Sequence, residues 1–137
     1  MTTPGTSEAA LPGARGMARL CAVQALYQIE ISGANFRPVI DEFIGFRIGG
    51  EIAEGSEDRA DPDFFRDVVS GVDARDAEIA EAVETALAEG WSYTRLDTTL
   101  RQILRAATYE LIARIDVPAR VVINEYVELT AAFFEGP

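Results

Sequence analysis

The chain has 137 residues, of which 48% are hydrophobic, and it carries a formal net charge of −11. This length suits one compact domain, and the hydrophobic content is typical of a folded protein rather than a disordered one. All 12 basic residues are arginine and histidine is absent, which excludes imidazole and lysine chemistry and metal sites built from Cys and His. No pair of carboxylates stands out as a hydrolytic site. The composition therefore favours a binding protein over an enzyme, and it predicts neither a cofactor nor a metal.

The sequence carries no membrane or secretion signal. No apolar run approaches the roughly 20 residues that a membrane helix needs, and residues 1–14 lack the basic and apolar regions of a signal peptide. A single cysteine, Cys21, permits no internal disulfide, which fits a reducing compartment. These features predict a cytoplasmic protein without a membrane partner.

The acidic excess lies in the middle of the chain. The net charge is +1 over residues 1–40, −11 over residues 41–90 and −1 over residues 91–137. Nucleic-acid affinity depends on basic groups, so the near-neutral ends are better suited to it than the middle. The acidic middle is interpreted as a solubilising face that also favours association with a basic protein.

The first half of the chain reads as helices separated by glycine-rich breaks. Residues 1–14 are rich in Pro, Gly, Ser and Thr, which predicts a disordered tail. A helix is predicted over residues 15–31, ending at Gly33, and Pro38 suits the first turn of a second helix. Residues 49–60 are acidic and loop-like. The apolar stripe of the first helix is predicted to comprise Leu20, Val23, Tyr27 and Ile31.

The second half begins with clear helix starts. Asp61 followed by proline predicts a helix N-terminus, and the apolar pattern beyond it indicates one helix to Gly90 or two joined near Gly71. Asp97 is a predicted N-cap, and Pro118 begins the last helix. The apolar side of that helix is predicted to comprise Val122, Ile123, Tyr126, Val127, Leu129 and Phe133. No convincing strand pattern appears, so the predicted class is all-α.

Three sequence blocks carry a resemblance to a known family. They are MARLCAVQALYQIEISG at residues 17–33, FFRDVVSGV at residues 64–72 and ILRAATYELIARIDVPARVVINEYVEL at residues 103–129. In this order they resemble the NusB family of bacterial transcription antitermination factors. After the tail at residues 1–14, the resemblance implies a single domain over 15–137, made of two packed helical subdomains (about 15–90 and 91–137). The family's closing helix, with its Phe-Val-Asn-Gly pattern, has no counterpart before Pro137.

The resemblance also implies a function and partners. A NusB-like protein would bind a boxA-type single-stranded RNA together with the ribosomal protein NusE, and would join the RNA polymerase antitermination complex to promote read-through in ribosomal RNA operons. One alternative is the NusB-like RNA-binding domain of an rRNA cytosine methyltransferase, although no glycine-rich cofactor loop is present. Another is a helical protein-interaction domain that does not bind RNA.

Four residues are candidate RNA contacts, two of them by this resemblance. Arg15 and Arg19 match positions of the family's arginine-rich motif, although Gly16 and Met17 replace further arginines. The alternative is that both are ordinary surface arginines that do not contact RNA. Tyr27 offers a ring that could stack on an unpaired base, and packing at the end of its helix is the alternative.

Arg105 is the fourth candidate, for a phosphate or base edge. Its alternative is a surface ion pair with Glu110 or Asp116.

Asn124 and Glu125 stand out among apolar neighbours in the last helix. Asn124 is predicted to bridge backbone groups, because a buried amide must find partners. Glu110 is read as a solvent-facing residue, and Cys21 as a small buried hydrophobe. Because the closing helix has no counterpart, the apolar side of the last helix is expected to self-associate or to fray.

Overall fold

The computed structural model describes residues 13–48 and 60–135, and all regular structure in these two ranges is helical. The predicted all-α class is confirmed. The predictions for the tail before residue 13 and for the loop at 49–59 lie outside the described residues. In chain order the elements are α1 (Ala14–Ser32), α2 (Phe36–Glu42) with a π-helical continuation (Phe43–Ile48), α3 (Pro62–Ala74), α4 (Asp76–Ala86), a 3₁₀ turn (Tyr93–Arg95), α5 (Thr98–Ala113) and α6 (Ala119–Phe134).

Local capping chemistry sets several helix ends, as predicted. The Asp61 carboxylate accepts hydrogen bonds from the backbone N–H groups of Asp63 and Phe64, at 3.0 and 3.1 Å. Asp97 caps α5 in the same way. Gly33 ends α1 in the left-handed region, with φ of 72°, which glycine adopts without strain. Such caps contribute about 1 kcal/mol each.

Helix α3 lies at the centre of the core. It packs against α1, α2 and α5, while α4 and α6 both pack on α5. Phe65 stacks on Phe43 with ring centroids 5.7 Å apart. Alanines on α1 let it approach its neighbours closely. The most buried apolar side chains of α1 and α3 are those of Ala18, Ala22, Val23, Ala25, Phe64, Phe65, Val68, Val69 and Val72.

The region around Gly71 follows the two-helix alternative, with the junction displaced along the chain. The chain forms two helices, but they join at Arg75, four residues beyond Gly71. Gly71 lies inside α3, where an added Cβ atom would overlap the ring of Tyr109 on α5. This glycine therefore serves a close helix contact rather than a break.

Two predicted apolar stripes need correction. On α1, Tyr27 and Ile31 are exposed, because the buried side of the helix is the one that carries Ala18, Ala22 and Ala25. On α6, Val122 and Tyr126 are buried, whereas Ile123 and Val127 are 52% and 62% exposed. One residue turns a helix by about 100°, so neighbours in sequence fall on different faces. None of the helices in residues 13–48 and 60–135 has the length and apolar character to cross a membrane.

Candidate nucleic-acid interface

A buried ion pair joins α1 to α5. Arg19 donates from Nε and Nη2 to the two carboxylate oxygens of Glu110, at 2.8 and 3.0 Å. The Tyr126 hydroxyl of α6 donates to the same carboxylate. Arg19 is 3% exposed and Glu110 is 0% exposed. Three helices are thus tied together by one buried carboxylate.

The charges in this cluster support one another. Burial alone would lower the pKa of Arg19, but the hydrogen bonds and negative charge of Glu110 outweigh it and raise that pKa. Burial, reinforced by Glu110, raises the pKa of Tyr126 well above its usual value. The guanidinium therefore stays charged and the hydroxyl stays a donor. Removing one partner would leave an uncompensated buried charge, which typically costs about 3–5 kcal/mol.

A second network lies beside the first, at the turn between α5 and α6. Arg114 donates to Asp67 of α3 and, from two nitrogens, to Asp116, all at 3.0 Å. The Tyr109 hydroxyl also donates to Asp67, at 2.8 Å. Burial and this hydrogen bond raise the pKa of Tyr109 to about 12. The hydrogen bonds from Arg114 hold the pKa of Asp116 below its usual value.

The two networks border an open cleft, here called the corner cleft. It encloses about 360 Å³ between the start of α1 and the α5–α6 turn. Its lining residues are Gly13, Arg15, Gly16, Arg19, Asp116, Val117, Pro118, Val121 and Glu125.

Arg15 and Glu125 are the least engaged charged groups of the corner cleft, since Asp116, although 54% exposed, accepts from Arg114 with both carboxylate oxygens. The Arg15 side chain is 46% exposed, and its guanidinium lies over the Phe64 ring, 4.6 Å from the centroid. Its nearest carboxylate oxygen, on Asp116, is 3.9 Å away. Across the cleft, Glu125 is 44% exposed and lies 3.4 Å from Nη1 of Arg19. A donor and an acceptor therefore line the same opening.

The structure brings only some of the predicted site residues together. Arg15, Arg19 and Glu125 line the corner cleft. Arg19 offers a ligand little surface, because its guanidinium is engaged in the core. Tyr27 is 41% exposed and lies in a separate shallow pocket with Thr99 and Phe133.

Arg105 lies apart from both places, at the contact between α4 and α5. It donates to Asp76 and to Gln102, each at 2.7 Å. The predicted alternative of an ion pair with Glu110 or Asp116 is wrong. The fold brings Asp76 to Arg105 because α4 packs directly on α5.

Two further residue predictions are corrected. Asn124 is exposed, and within the described parts of the chain its amide has no hydrogen-bond partner, so it does not bridge backbone groups. Its place on α6 faces away from α5. Glu110 does not face solvent. It falls at helical spacing after Ile103 and Ala106, both buried, and this spacing was a signal that it belongs to the core. Cys21 is buried, as predicted.

The fold and these surfaces define a small all-helical binding protein. In residues 13–48 and 60–135, no group of three or more His, Cys, Asp or Glu side chains is placed to hold a metal ion. The chain belongs to the NusB family, whose sequence model matches residues 17–137. The predicted non-enzymatic character agrees with that family of antitermination factors.

Individual relatives support this membership. The chain is 47% identical to the transcription antitermination protein NusB of Agrobacterium fabrum, over 88% of this chain and 73% of that protein. It is 51% identical to the protein of the same name from Sphingopyxis alaskensis, over 89% of this chain and 82% of that one. A crystal structure of T. maritima NusB superposes with a TM-score of 0.68 at 27% identity, covering 93% of this chain and 77% of that one.

Proposed function

We propose that this protein is a transcription antitermination factor that binds a boxA-type single-stranded RNA together with NusE. The observation that carries the proposal is the family match over residues 17–137, joined to relatives named as antitermination proteins at 47% and 51% identity. In this role the protein supplies binding energy and geometry to an RNA polymerase complex in the cytoplasm, where transcription takes place. No covalent chemistry is required of it.

The RNA contact is assigned first to α1. Arg15 presents an exposed guanidinium at the corner cleft, and Tyr27 presents an exposed ring further along the same helix. They are 12 residues apart in sequence, or about 18 Å along the helix axis. At about 100° per residue they also lie about 120° apart around α1, so a single strand would have to cross the helix obliquely to meet both. A base stacked on Tyr27 contributes about 1–3 kcal/mol. Single strands suit such a surface because their unstacked bases are accessible.

The other two predicted RNA contacts take different roles in the proposal. Arg19 acts as a positioning residue, since it fixes α1 against α5 and borders the cleft through its Nη1 atom. Arg105 would have to exchange its hydrogen bond with Asp76 for one with the RNA. It is therefore a secondary contact at the edge of the interface.

The acidic middle of the chain supports a basic protein partner, and NusE is that partner in the proposal. Glu78, Glu81 and Glu89 are exposed on or just beyond α4. Complementary charge would speed encounter with a basic surface and make association sensitive to salt. The exposed apolar residues Ile123 and Val127 on α6 support self-association as a second, weaker contact. Sedimentation over a range of concentrations tests self-association, and an invariant monomer would contradict it.

Two alternatives remain for the experiment to separate. An RNA-binding domain of an rRNA methyltransferase would bind RNA without help from NusE. A protein-interaction domain without RNA binding would bind NusE alone, a reading that the burial of Arg19 favours.

The test is a titration of labelled RNA. A boxA-type strand and a scrambled strand of equal length are titrated with the protein, with and without NusE, at two salt concentrations. We expect the boxA-type strand to bind more tightly than the scrambled one, and NusE to increase the difference. Equal affinities for the two strands with NusE present would refute the proposal.

A further inference from the structure

The electrostatic balance of the corner cleft distinguishes it from a phosphate site. Arg15, Arg19 and Arg114 contribute three positive charges at the cleft and in the networks that border it. The four carboxylates of Asp67, Glu110, Asp116 and Glu125 outnumber these positive charges by one. Sites for phosphate are built from unopposed cations and N–H groups. An anion entering the cleft would meet two carboxylates, so a neutral ligand fits better.

The donors and acceptors in the cleft that are still open to a ligand define that ligand further. Arg15 has no carboxylate oxygen closer than 3.9 Å within the described residues, so its N–H donors are largely available. Glu125 is half-exposed, and one long contact of 3.4 Å to Arg19 leaves much of its acceptor capacity open. The fitting ligand therefore has acceptors on one edge and donors on a neighbouring edge. The apolar side chains of Val117, Pro118 and Val121 offer a surface for a flat ring.

Guanine matches this pattern better than the other bases. Its N1–H and exocyclic N2 amine are adjacent donors, spaced to meet the two oxygens of one carboxylate, and its O6 and N7 atoms are acceptors for a guanidinium. Uracil presents a single N–H between two carbonyls, and adenine has no carbonyl. Cytosine presents one amine without a neighbouring N–H donor.

We propose that the corner cleft is a reading site for an unpaired guanine of the bound RNA, with Glu125 accepting from its Watson–Crick edge and Arg15 donating to O6 and N7. This inference rests on the proposed function and assigns base recognition to one part of the interface. The Arg15 guanidinium is held at the cleft by its contact with the Phe64 ring, 4.6 Å from the centroid. Arg19 holds Glu125 in place from behind, and Arg19 is itself fixed by Glu110.

The experiment uses three unstructured RNA strands of 12 nucleotides with NusE present throughout. One contains only uridine, the second carries guanosine at alternate positions, and the third carries inosine at those same positions. Inosine lacks only the exocyclic amine of guanine. We expect the guanosine strand to bind about tenfold more tightly than the uridine strand, as a well-placed bidentate contact allows. The inosine strand should lose several-fold of that gain.

Two variants connect the preference to the cleft. Glu125→Gln removes one carboxylate charge and should abolish the difference between guanosine and inosine. The matched control is Glu128→Gln, which makes the same change on an exposed residue of the same helix and should preserve the difference. Thermal unfolding of both variants checks that the fold is intact.

The salt dependence of the Arg15→Ala variant separates base from phosphate. A lost phosphate contact would lower the slope of log affinity against log salt by about 0.7, whereas a lost base contact should leave the slope nearly unchanged. Equal binding of all three strands, or a weakening of all three by Arg15→Ala with the lower slope, would overturn base reading and leave the proposed function standing. Failure of every strand to bind would also overturn base reading, whereas the proposed function is decided by the titration of the boxA-type strand.

Discussion

Carboxylates have opposite roles in two regions of the molecule. One region is the corner between α1, α5 and α6, and the other is the outer face of α4. In the corner, Glu110 is fully buried and shared by an arginine and a tyrosine. On α4, Glu81 is exposed and has no ion-pair partner among the residues that the structure describes. A carboxylate in the corner therefore holds helices together, whereas one on the outer face of α4, such as Glu81, sets the electrostatic field of a surface. Net charge alone does not distinguish these roles.

The largest expected effect comes from breaking the buried pair. Glu110→Gln keeps the shape of the side chain but removes the buried partner of Arg19 and leaves only the half-exposed Glu125, 3.4 Å away, to balance its charge. We therefore expect a loss of about 3 kcal/mol in the free energy of unfolding, the low end of the range for a broken buried pair. Urea denaturation measures it. The matched control, Glu81→Gln on α4, should change stability by no more than about 0.5 kcal/mol. Equal effects of the two variants would show that the corner is no more dependent on its charges than α4 is.

A smaller loss is expected at the close contact between α3 and α5, next to the corner. Gly71→Ala places a methyl group against the Tyr109 ring, and relief of that overlap should cost about 1–3 kcal/mol. Gly45→Ala is the control, because nothing lies within 4 Å of a Cβ atom there. Urea denaturation of both variants compares them, and an unaffected Gly71→Ala protein would show that Tyr109 moves freely.

Alkaline pH should weaken the corner selectively. Folding raises the pKa of Tyr109 to about 12 and that of Tyr126 well above its usual value, so the folded protein retains protons that unfolded tyrosines release near pH 10. Their contribution to stability is complete below pH 10 and is lost as the pH rises toward the folded pKa values. Between pH 9 and 10.5 we expect a loss of about 1 kcal/mol.

Urea denaturation at each pH provides the measurement, with tyrosinate absorbance as an independent record of titration. The Tyr126→Phe variant should lose less stability over this interval than the parent protein. The same pH dependence in both proteins would mean that Tyr126 is not responsible.

The smallest effect on stability is expected on α4, where the effect on association should be clear. Replacing Glu78 and Glu81 together by glutamine should leave the free energy of unfolding within about 1 kcal/mol, because both are exposed. Association with NusE should become slower and less sensitive to salt, with little change in dissociation. Stopped-flow fluorescence resolves the two rates. If the association rate changes with neither the mutations nor the salt concentration, the only role left for this face is to keep the protein in solution.

The parts of the fold that were predictable from sequence are local. The caps at Asp61 and Asp97 and the end of α1 at Gly33 depend on a few consecutive residues, and all three were predicted correctly. The pairing of Arg19 with Glu110 spans 91 residues and depends on how α1 meets α5. A helical pattern gives the faces of each helix but not which face meets which neighbour.

The candidate site shows the same limit. Arg15 and Arg19 are four residues apart and look equivalent in sequence, yet one is exposed and the other is buried. The difference arises because α5 supplies a carboxylate opposite Arg19, whereas Arg15 lies one turn nearer the open end of α1. The corner cleft itself was not predictable, since Asp116 and Glu125 reach it from the turn before α6 and from α6 itself.

The most direct test of RNA binding through the corner cleft compares two arginines. The dissociation constant of a labelled boxA-type RNA is measured with NusE present, at one fixed salt concentration, for the wild-type protein, for Arg15→Ala and for the control Arg37→Ala on α2. Because an arginine contact to RNA is worth about 1–3 kcal/mol, we predict about tenfold weaker binding by Arg15→Ala and binding within about twofold of wild type by Arg37→Ala. Equal affinities for all three proteins would contradict an RNA interface at this cleft.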